Sequence, residues 1–333
     1  MFRIAHDIRT SGGFLRRRDL LGIGYTDGGI RAALRHRMIF RVRHGWYSVP
    51  DAPEPAVHAV RIGGRLTGVA ALESYGLRVP RRAHVDIAVP TWARRLRSPV
   101  ERREPLAAGD GIRPHWIDRP IDRLGAQSRW RVSLDDALLV VLRTEDRDVA
   151  VACCSAVMHQ FRWGEARMDA VFRRAPQHTW AWRPLVSRLD EAHGETFARL
   201  WFGDAGIPFE SQPFVPGVGR LDGQVGPNVY IEIDGGQHDP AWTGEGKSTF
   251  HTDHLRDAEM ARLGKWVLRF DYAQLYGDWA GCLAATERAI ADDRALSAYR
   301  RRHPYRPRRP ASHRRARPRA RLVLNENDGD PSP

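Results

Sequence analysis

Apolar positions change their period several times along the chain, and each change predicts an element. Near the N-terminus "RRRDLLGIG" and "TDGGIRAALRHRMIFRV" carry helical spacing, the second with Thr26 or Asp27 as N-cap and Ile30, Ala33 and Leu34 on one face. "IFRVRHGWYSVP" then alternates, with Ile39 or Phe40, Val42, Trp46 and Val49 set around a turn at His44-Gly45, which predicts a β-hairpin. Helices followed by such a wing predict a small winged helix-turn-helix over residues 1–60. "DAPEPAV" reads as a Pro-rich joint after it.

The middle of the chain predicts a short helix at "GVAALESYGL", a strand at "HVDIAVP", and then a run of helices. "SLDDALLVVLR" begins with Ser133 and Asp136 as a capping box, and "DVAVACCSAVMHQF", "GEARMDAVFRRA" and "WRPLVSRLDEA" continue the helical pattern. His159, Trp163, Trp180 and Trp182 are expected to serve packing, the ordinary role of large aromatics. Residues 61–189 therefore predict a mixed α/β and helical domain.

From residue 190 the pattern is α-β-β-β-α-β. "GETFARLWFGDAG" carries an apolar stripe of Phe197, Leu200 and Trp201, with Glu195 in its first turn and Gly206 as its stop. "PFESQPFV" and "GRLDGQVG" predict two strands joined at Pro216-Gly217, and "VYIEIDGGQH" a third. A helix in "STFHTDHLRDAEMARLG", stopped by Gly264, and a strand in "KWVLRFD" complete the order.

The third strand poses the chemical question. Val229, Ile231 and Ile233 share one face, so Tyr230, Glu232 and Asp234 share the other, with two carboxylates roughly 7 Å apart. Asp222 on the preceding strand is expected to join them. Carboxylates gathered on one sheet face repel unless something positive is present, and hard oxygen ligands suit Mg²⁺ or Mn²⁺. The ligand set expected on this face is Asp222, Glu232 and Asp234, and the chemistry is phosphodiester hydrolysis. Asp222 also fits a polar residue near a turn, and Glu195 a favourable charge at a helix N-terminus. His238 is a candidate base or second ligand, with capping of the loop after the strand as the other reading. In "HTDHLRDAE" Asp253, Arg256 and Asp257 fall at intrahelical ion-pair spacing, while Arg256 also fits a phosphate.

Charge sharpens the choice of partner. Over 333 residues the formal net charge is +13, which suggests a polyanion, and no long apolar segment favours a membrane instead. The excess is almost all arginine, since Lys247 and Lys265 are the only lysines, so base composition of the genome accounts for part of it. Arg31, Arg35, Arg37, Arg41 and Arg43 on helix and wing are the expected DNA contacts, with a solvated protein-binding face as the bland reading. Cys153, Cys154 and Cys282 read as buried thiols of a reducing cytosol, and "MFRIAHDIRTSGGF" lacks the apolar core of a signal peptide. A cytoplasmic location is expected. The tail beginning "RRHPYRPRRP" is too rich in Arg and Pro to fold alone, and residues 298–333 are expected to be a basic disordered tail.

Two resemblances follow from these stretches. "LLGIGYTDGGIRAALRHRMIFRVRHGWYSVPDA" with "LTGVAALESYGL" resembles the AbiEi-like antitoxins, which implies a DNA-binding regulator with an N-terminal winged helix and a following α/β domain. "GETFARL", "GRLDGQVG", "VYIEIDGGQH" and "FHTDHLRDAEMARLGKWVLRF" resemble the PD-(D/E)XK nucleases, and specifically the domain related to very-short-patch-repair (Vsr) endonucleases. That resemblance implies an endonuclease-like α/β fold with a mixed central sheet over residues 190–297. It makes Glu195 the first-helix acid and a further expected metal ligand, Asp222 the hairpin acid and Glu232 the central acid. Asp234 stands where the superfamily has its lysine, so a positive group must come from His238, Lys247, Arg256 or Lys265.

The whole predicts a multidomain α/β protein and two functions. One is a metal-dependent DNA endonuclease delivered by its winged helix. The other is an antitoxin-type transcriptional regulator with a catalytically degenerate nuclease-like domain. A partner toxin or defence-system protein, bound through the middle domain, is a third expectation.

Overall fold

The computed structural model describes residues 3–80, 82–101, 103–117, 130–234 and 255–303. The fold is mixed α/β with several small sheets. Among the described residues no helix is long and apolar enough to cross a membrane.

The N-terminal unit runs α1 (Arg3–Thr10), β1 (Phe14–Arg16), α2 (Arg17–Gly22), α3 (Asp27–Arg35), β2 (Phe40–Arg43) and β3 (Trp46–Ser48). Thr26 caps α3 by accepting the Gly29 N–H at 3.1 Å, as the sequence predicts. The three strands form one sheet in the order β1-β3-β2, with β2 and β3 antiparallel around His44-Gly45. Ile4, Ile8, Leu20, Ile30, Ala33, Ile39 and Val49 bury its core.

The expected joint is instead a helix. Pro53 stands at the N-cap and Pro55 in the first turn of α4 (Glu54–Ile62), where a missing N–H does no harm, and Gly63 ends it at φ +92°. Ala56, Val57, Ala59 and Val60 enter the core of the middle region, so a boundary at residue 60 falls inside α4. That core extends from Phe14 and Val42 to Phe197 and Leu200, and thus reaches from the N-terminal sheet to the first helix of the C-terminal region.

The middle region holds β4 (Arg65–Leu66), α5 (Gly68–Ser74), β5 (Val85–Pro90) and β6 (Ile112–Ile117), with sheet order β4-β5-β6 and β5 parallel to β6. Helices α6 (Leu134–Thr144), α7 (Arg147–Gln160) and α8 (Glu165–Phe172) follow. Ser133 caps α6 through the Asp136 N–H at 3.2 Å. "WRPLVSRLDEA" does not form an α-helix: a 3₁₀ stretch over Gln177–Leu185, with Pro184 inside it, ends before Val186. Trp163 is buried and Trp182 packs against the core, as expected, and His159 Nδ1 lies 3.1 Å from the Arg188 carbonyl, whereas Trp180 is exposed and donates from Nε1 to the Phe172 carbonyl at 2.8 Å.

The C-terminal region begins with α9 (His193–Asp204). The two predicted strands break into four pieces: β7 (Glu210–Ser211), β8 (Phe214–Val215), β9 (Gly219–Arg220) and β10 (Gly223–Gly226). β8 and β9 form a separate small hairpin, while β7 and β10 join β11 (Val229–Asp234) and β12 (Trp266–Asp271) in the order β12-β11-β10-β7. Helix α10 covers residues 255–262, and Gly264 follows it at φ +68°. β11 and β12 are parallel, β10 and β11 antiparallel, giving a mixed sheet. Short α11 (Tyr272–Gly277) and α12 (Trp279–Arg302) complete the region. α12 runs through residue 302, five residues into the stretch assigned to the tail. Residues 304–333 lie outside the described residues.

This sheet is covered on both faces. Val229 and Ile231 pack with Ala198 and Phe202 of α9 and Ala289 and Ile290 of α12, while Tyr230 packs on the other side with Val215, Leu221 and Met260. Glu232 is in register with Arg269 across the parallel pair. The strand alternation read from sequence therefore holds, and it leaves Glu232 on the face covered by α10.

Candidate active site

Three backbone devices bring the acids toward the carboxyl end of β11. The first is Asp222. It lies just before β10 rather than on a strand, because its carboxylate Oδ2 accepts the Ile233 N–H at 2.7 Å while its carbonyl accepts the Gln212 N–H at 3.0 Å. A side chain that serves as a partner for β11 cannot also sit in a regular ladder there. The second is Gly223, where a Cβ would lie 2.0 Å from Phe209 Cζ, so only glycine lets the chain leave Asp222 on this path. The third is Gly194. A Cβ there would lie 2.5 Å from Tyr272 Cε1 and 2.9 Å from Ile233 Cγ2, so glycine lets the start of α9 press on β11 and carries Glu195 with it.

The resulting electrostatics are unusual. Burial pushes the Glu195 carboxyl up to about 8, with the Asp222 charge adding to the shift, although Glu195 Oε2 accepts the Glu191 N–H at 3.0 Å. Burial also raises Asp222, reinforced by Asp234 and Glu191, against the Ile233 N–H and Arg256 that lower it. Glu232 is 8% exposed and raised by burial, with Asp222 and Asp234 adding to the effect. Each acid thus feels its neighbours. Two guanidiniums face Glu232: Arg256 Nη2 lies 3.1 Å from Oε1 and Arg269 Nη2 2.8 Å from Oε2. They lower its pKa and do not overcome the burial.

Among the described residues Arg256 turns to the sheet and not along its own helix. It reaches Glu232 and donates to the Arg220 carbonyl at 2.8 Å, whereas Asp257 pairs with Arg269 at 2.8 Å. Asp253 is outside the described residues, as are His238 and Lys247. Lys265 donates from its Nζ to the Tyr230 hydroxyl at 2.6 Å. Sequence reasoning missed two neighbours. Arg269 could have been found from the parallel register, which sets it beside Glu232. Tyr272 packs on Gly194, and its hydroxyl is raised by burial and, less strongly, by Glu195 and Asp222.

Do these residues fit Mg²⁺ or Mn²⁺? The donors are of the right kind, hard carboxylate oxygens with too little positive charge among them, and a cation would offset the burial and, second to it, the Asp222 charge that together hold the Glu195 carboxyl up. Asp222, Asp234 and Glu195 have capacity for such an ion. Glu232 would first have to release its arginines, and among the described residues no three of the four acids bring their ligand atoms within 4.8 Å of one another. The group that does reach that spacing is elsewhere: His84, Asp86 and Glu145.

That second cluster is already neutralised. Asp86 is fully buried, with Arg113 Nε at 2.6 Å and His115 Nε2 at 2.7 Å from Oδ1, and Glu145 pairs with Arg113 and with Arg82. Burial pushes the Asp86 carboxyl up, yet the hydrogen bonds from His115 and Arg113 together outweigh it, and the net shift is downward.

The proposed DNA-binding arginines divide into two kinds. Arg31 and Arg35 are exposed, one turn apart on α3, and Arg41 is exposed on β2. Arg37 is exposed at φ +54°, in the turn after α3. Arg43 does not belong with them, because it is partly buried and its Nη1 donates to the Val60 carbonyl at 3.3 Å. It ties β2 to α4.

Compared with known families and with curated proteins, the chain matches no family model and no curated protein.

Proposed function

We propose that this protein is a metal-dependent endonuclease that hydrolyses phosphodiester bonds in DNA. The observation that carries the reading is the cluster of Glu195, Asp222 and Glu232 at the end of β11, all three carboxyls raised by burial and mutual repulsion beside two arginines. Perturbed carboxylates gathered next to cations are what a site that handles both a metal and a phosphate requires. In the hydrolysis a water oxygen forms a bond to phosphorus and gives up a proton to solvent, while the bond from phosphorus to one sugar oxygen breaks and that oxygen takes up a proton. Bound Mg²⁺ or Mn²⁺ supplies Lewis acidity toward a phosphate oxygen. Asp222, Asp234 and Glu195 would hold it. Asp222 is preset for this role by its bond to the Ile233 N–H, which fixes one oxygen and leaves the other for a ligand.

The α1-β1-α2-α3-β2-β3 order of the N-terminal unit supports a winged helix-turn-helix reading, in which Arg31, Arg35 and Arg41 would meet backbone phosphates. The C-terminal mixed sheet flanked by α9 and α10 suits an endonuclease-like domain. The second reading is a DNA-binding regulator of antitoxin type with an idle nuclease-like domain. It is favoured by the two arginines that occupy both oxygens of Glu232.

The discriminating experiment is cleavage of supercoiled plasmid, linear duplex and single-stranded DNA in Mg²⁺ or Mn²⁺, with an Asp222→Ala/Glu232→Ala double variant as control. Cutting by the wild type that the double variant loses supports the nuclease. Duplex binding that survives EDTA, with no cutting in either metal, supports the regulator.

A further inference from the structure

Arg256 and Arg269 converge on Glu232 from different elements. Arg256 comes from α10, above the sheet. Arg269 comes from β12, the next strand, at the same level of the parallel register as Glu232. Each guanidinium takes a different oxygen, at 3.1 Å and 2.8 Å. Both side chains are partly exposed, with relative exposures of 27% and 30%, whereas that of Glu232 is 10%. The carboxylate is enclosed and the cations lie outside it, toward solvent. Arg269 also lies 2.8 Å from Asp257, so among the described residues Glu232 is the one carboxylate that both cations share.

A guanidinium fork matches a phosphate as well as it matches a carboxylate, because both offer two oxygens in one plane. We propose that Arg256 and Arg269 are the phosphate clamp of this site, held on Glu232 until a nucleic-acid strand displaces the carboxylate and takes both guanidiniums through its backbone phosphate. This rests on the nuclease reading for its location and deepens it by naming the phosphate-binding groups. Arg269 thereby supplies the fixed positive charge that Asp234 cannot. Displacement also returns Glu232 to the acid cluster, so that phosphate arrival and completion of the metal ligand set become one event. Asp257, which accepts from Arg269 at 2.8 Å, keeps that guanidinium oriented after Glu232 has let go.

The clamp predicts an effect opposite to the one a structural salt bridge gives. In EDTA, where no metal contributes, the full-length protein is titrated with a fluorescein-labelled single-stranded oligonucleotide. Glu232→Gln frees both arginines and tightens binding by roughly tenfold, the scale of one or two charge-assisted hydrogen bonds. Asp222→Asn removes the same charge without touching either arginine and tightens binding less. In the double variant Glu232→Gln/Arg269→Ala the gain disappears, and Arg269→Ala alone lowers the slope of log affinity against log salt by about one. Circular dichroism of each variant establishes that it is folded, and Arg269→Lys retains part of the salt slope. The proposal is overturned if Glu232→Gln binds no more tightly than Asp222→Asn, or if the gain persists without Arg269. These readouts need no cleavage. A wild type that cuts nothing refutes the nuclease reading, while the binding cycle separately decides the clamp.

Discussion

Two groups of buried acids in this molecule look alike by composition and differ in what surrounds them. Around Asp86 and Glu145 stand Arg82, Arg113 and His115, every carboxylate has a cation on it, and the Asp86 pKa falls despite complete burial. Around Asp222 stand Glu195, Glu232 and Asp234, with two arginines that both serve Glu232, and the pKa values of Asp222, Glu195 and Glu232 rise. The first group is also the tighter, with ligand atoms within 4.8 Å of one another. Spacing alone would select it as the metal site. Charge selects the other, since a cation entering the Asp86 group would meet guanidiniums, whereas one entering the Asp222 group would relieve repulsion. A close set of donors signals a metal only when the protein has not already neutralised it.

The largest effect that separates the two groups is on cleavage. Asp222→Ala/Glu232→Ala should reduce plasmid cutting to background with the fold intact, and retained cutting in that variant would remove the Asp222 group from the chemistry.

The reverse pattern is expected for Asp86→Asn, which breaks a buried ion pair and leaves Arg113 and His115 without their charge partner. Urea unfolding should show a loss of about 3–5 kcal/mol. A loss below about 1 kcal/mol would mean that the group carries little of the stability of the middle region.

A smaller effect concerns the surface proposed to meet DNA. Arg31→Ala/Arg35→Ala should weaken duplex binding equally for unrelated sequences and lower the salt slope by roughly two, whereas Arg43→Ala should leave the slope alone and destabilise the contact between β2 and α4. A slope unchanged by the double substitution would put the DNA surface elsewhere.

The smallest effect is on the pH dependence of stability, where the two groups have opposite signs. Glu195 keeps a proton in the folded state up to about 8 that the unfolded chain loses near 4.5, so its contribution to stability falls as pH rises between those values. Asp86 is held below its ordinary value, so its contribution is present above 3.8 and is lost as the pH falls through that range. Glu195→Gln should therefore flatten the decline in melting temperature between about pH 5 and pH 8, and an unchanged decline would contradict the assigned protonation.

Much of this comparison was legible in the sequence, and the remainder shows what is not local. The alternation in Val229–Asp234 places Glu232 and Asp234 on the Tyr230 face, because a half-apolar strand carries its own register. The caps at Thr26 and Ser133 were equally readable, each being a side chain and an N–H three residues apart. Asp222 was found as an acid and misplaced as a strand residue, since its conformation is set by a bond to Ile233, on another strand. "DAPEPAV" looked like a joint because two prolines suggest a turn, yet both fall where a helix start tolerates them. Arg269 was one cation within "KWVLRFD" until the parallel register set it beside Glu232. "HVDIAVP" did carry a signal: an Asp inside an apolar strand must be paired if buried. Its partners, Arg113 and His115, come from a strand 27 and 29 residues further on, out of reach of any local pattern.

The central claim, that charge and not spacing locates the cation site, is tested most directly by Mn²⁺ titration of the wild type, Asp222→Asn and His84→Ala, followed by electron paramagnetic resonance. The account predicts a bound-Mn²⁺ signal in the wild type that persists in His84→Ala and is lost in Asp222→Asn. Loss in His84→Ala with retention in Asp222→Asn would contradict it and move the metal to Asp86 and Glu145.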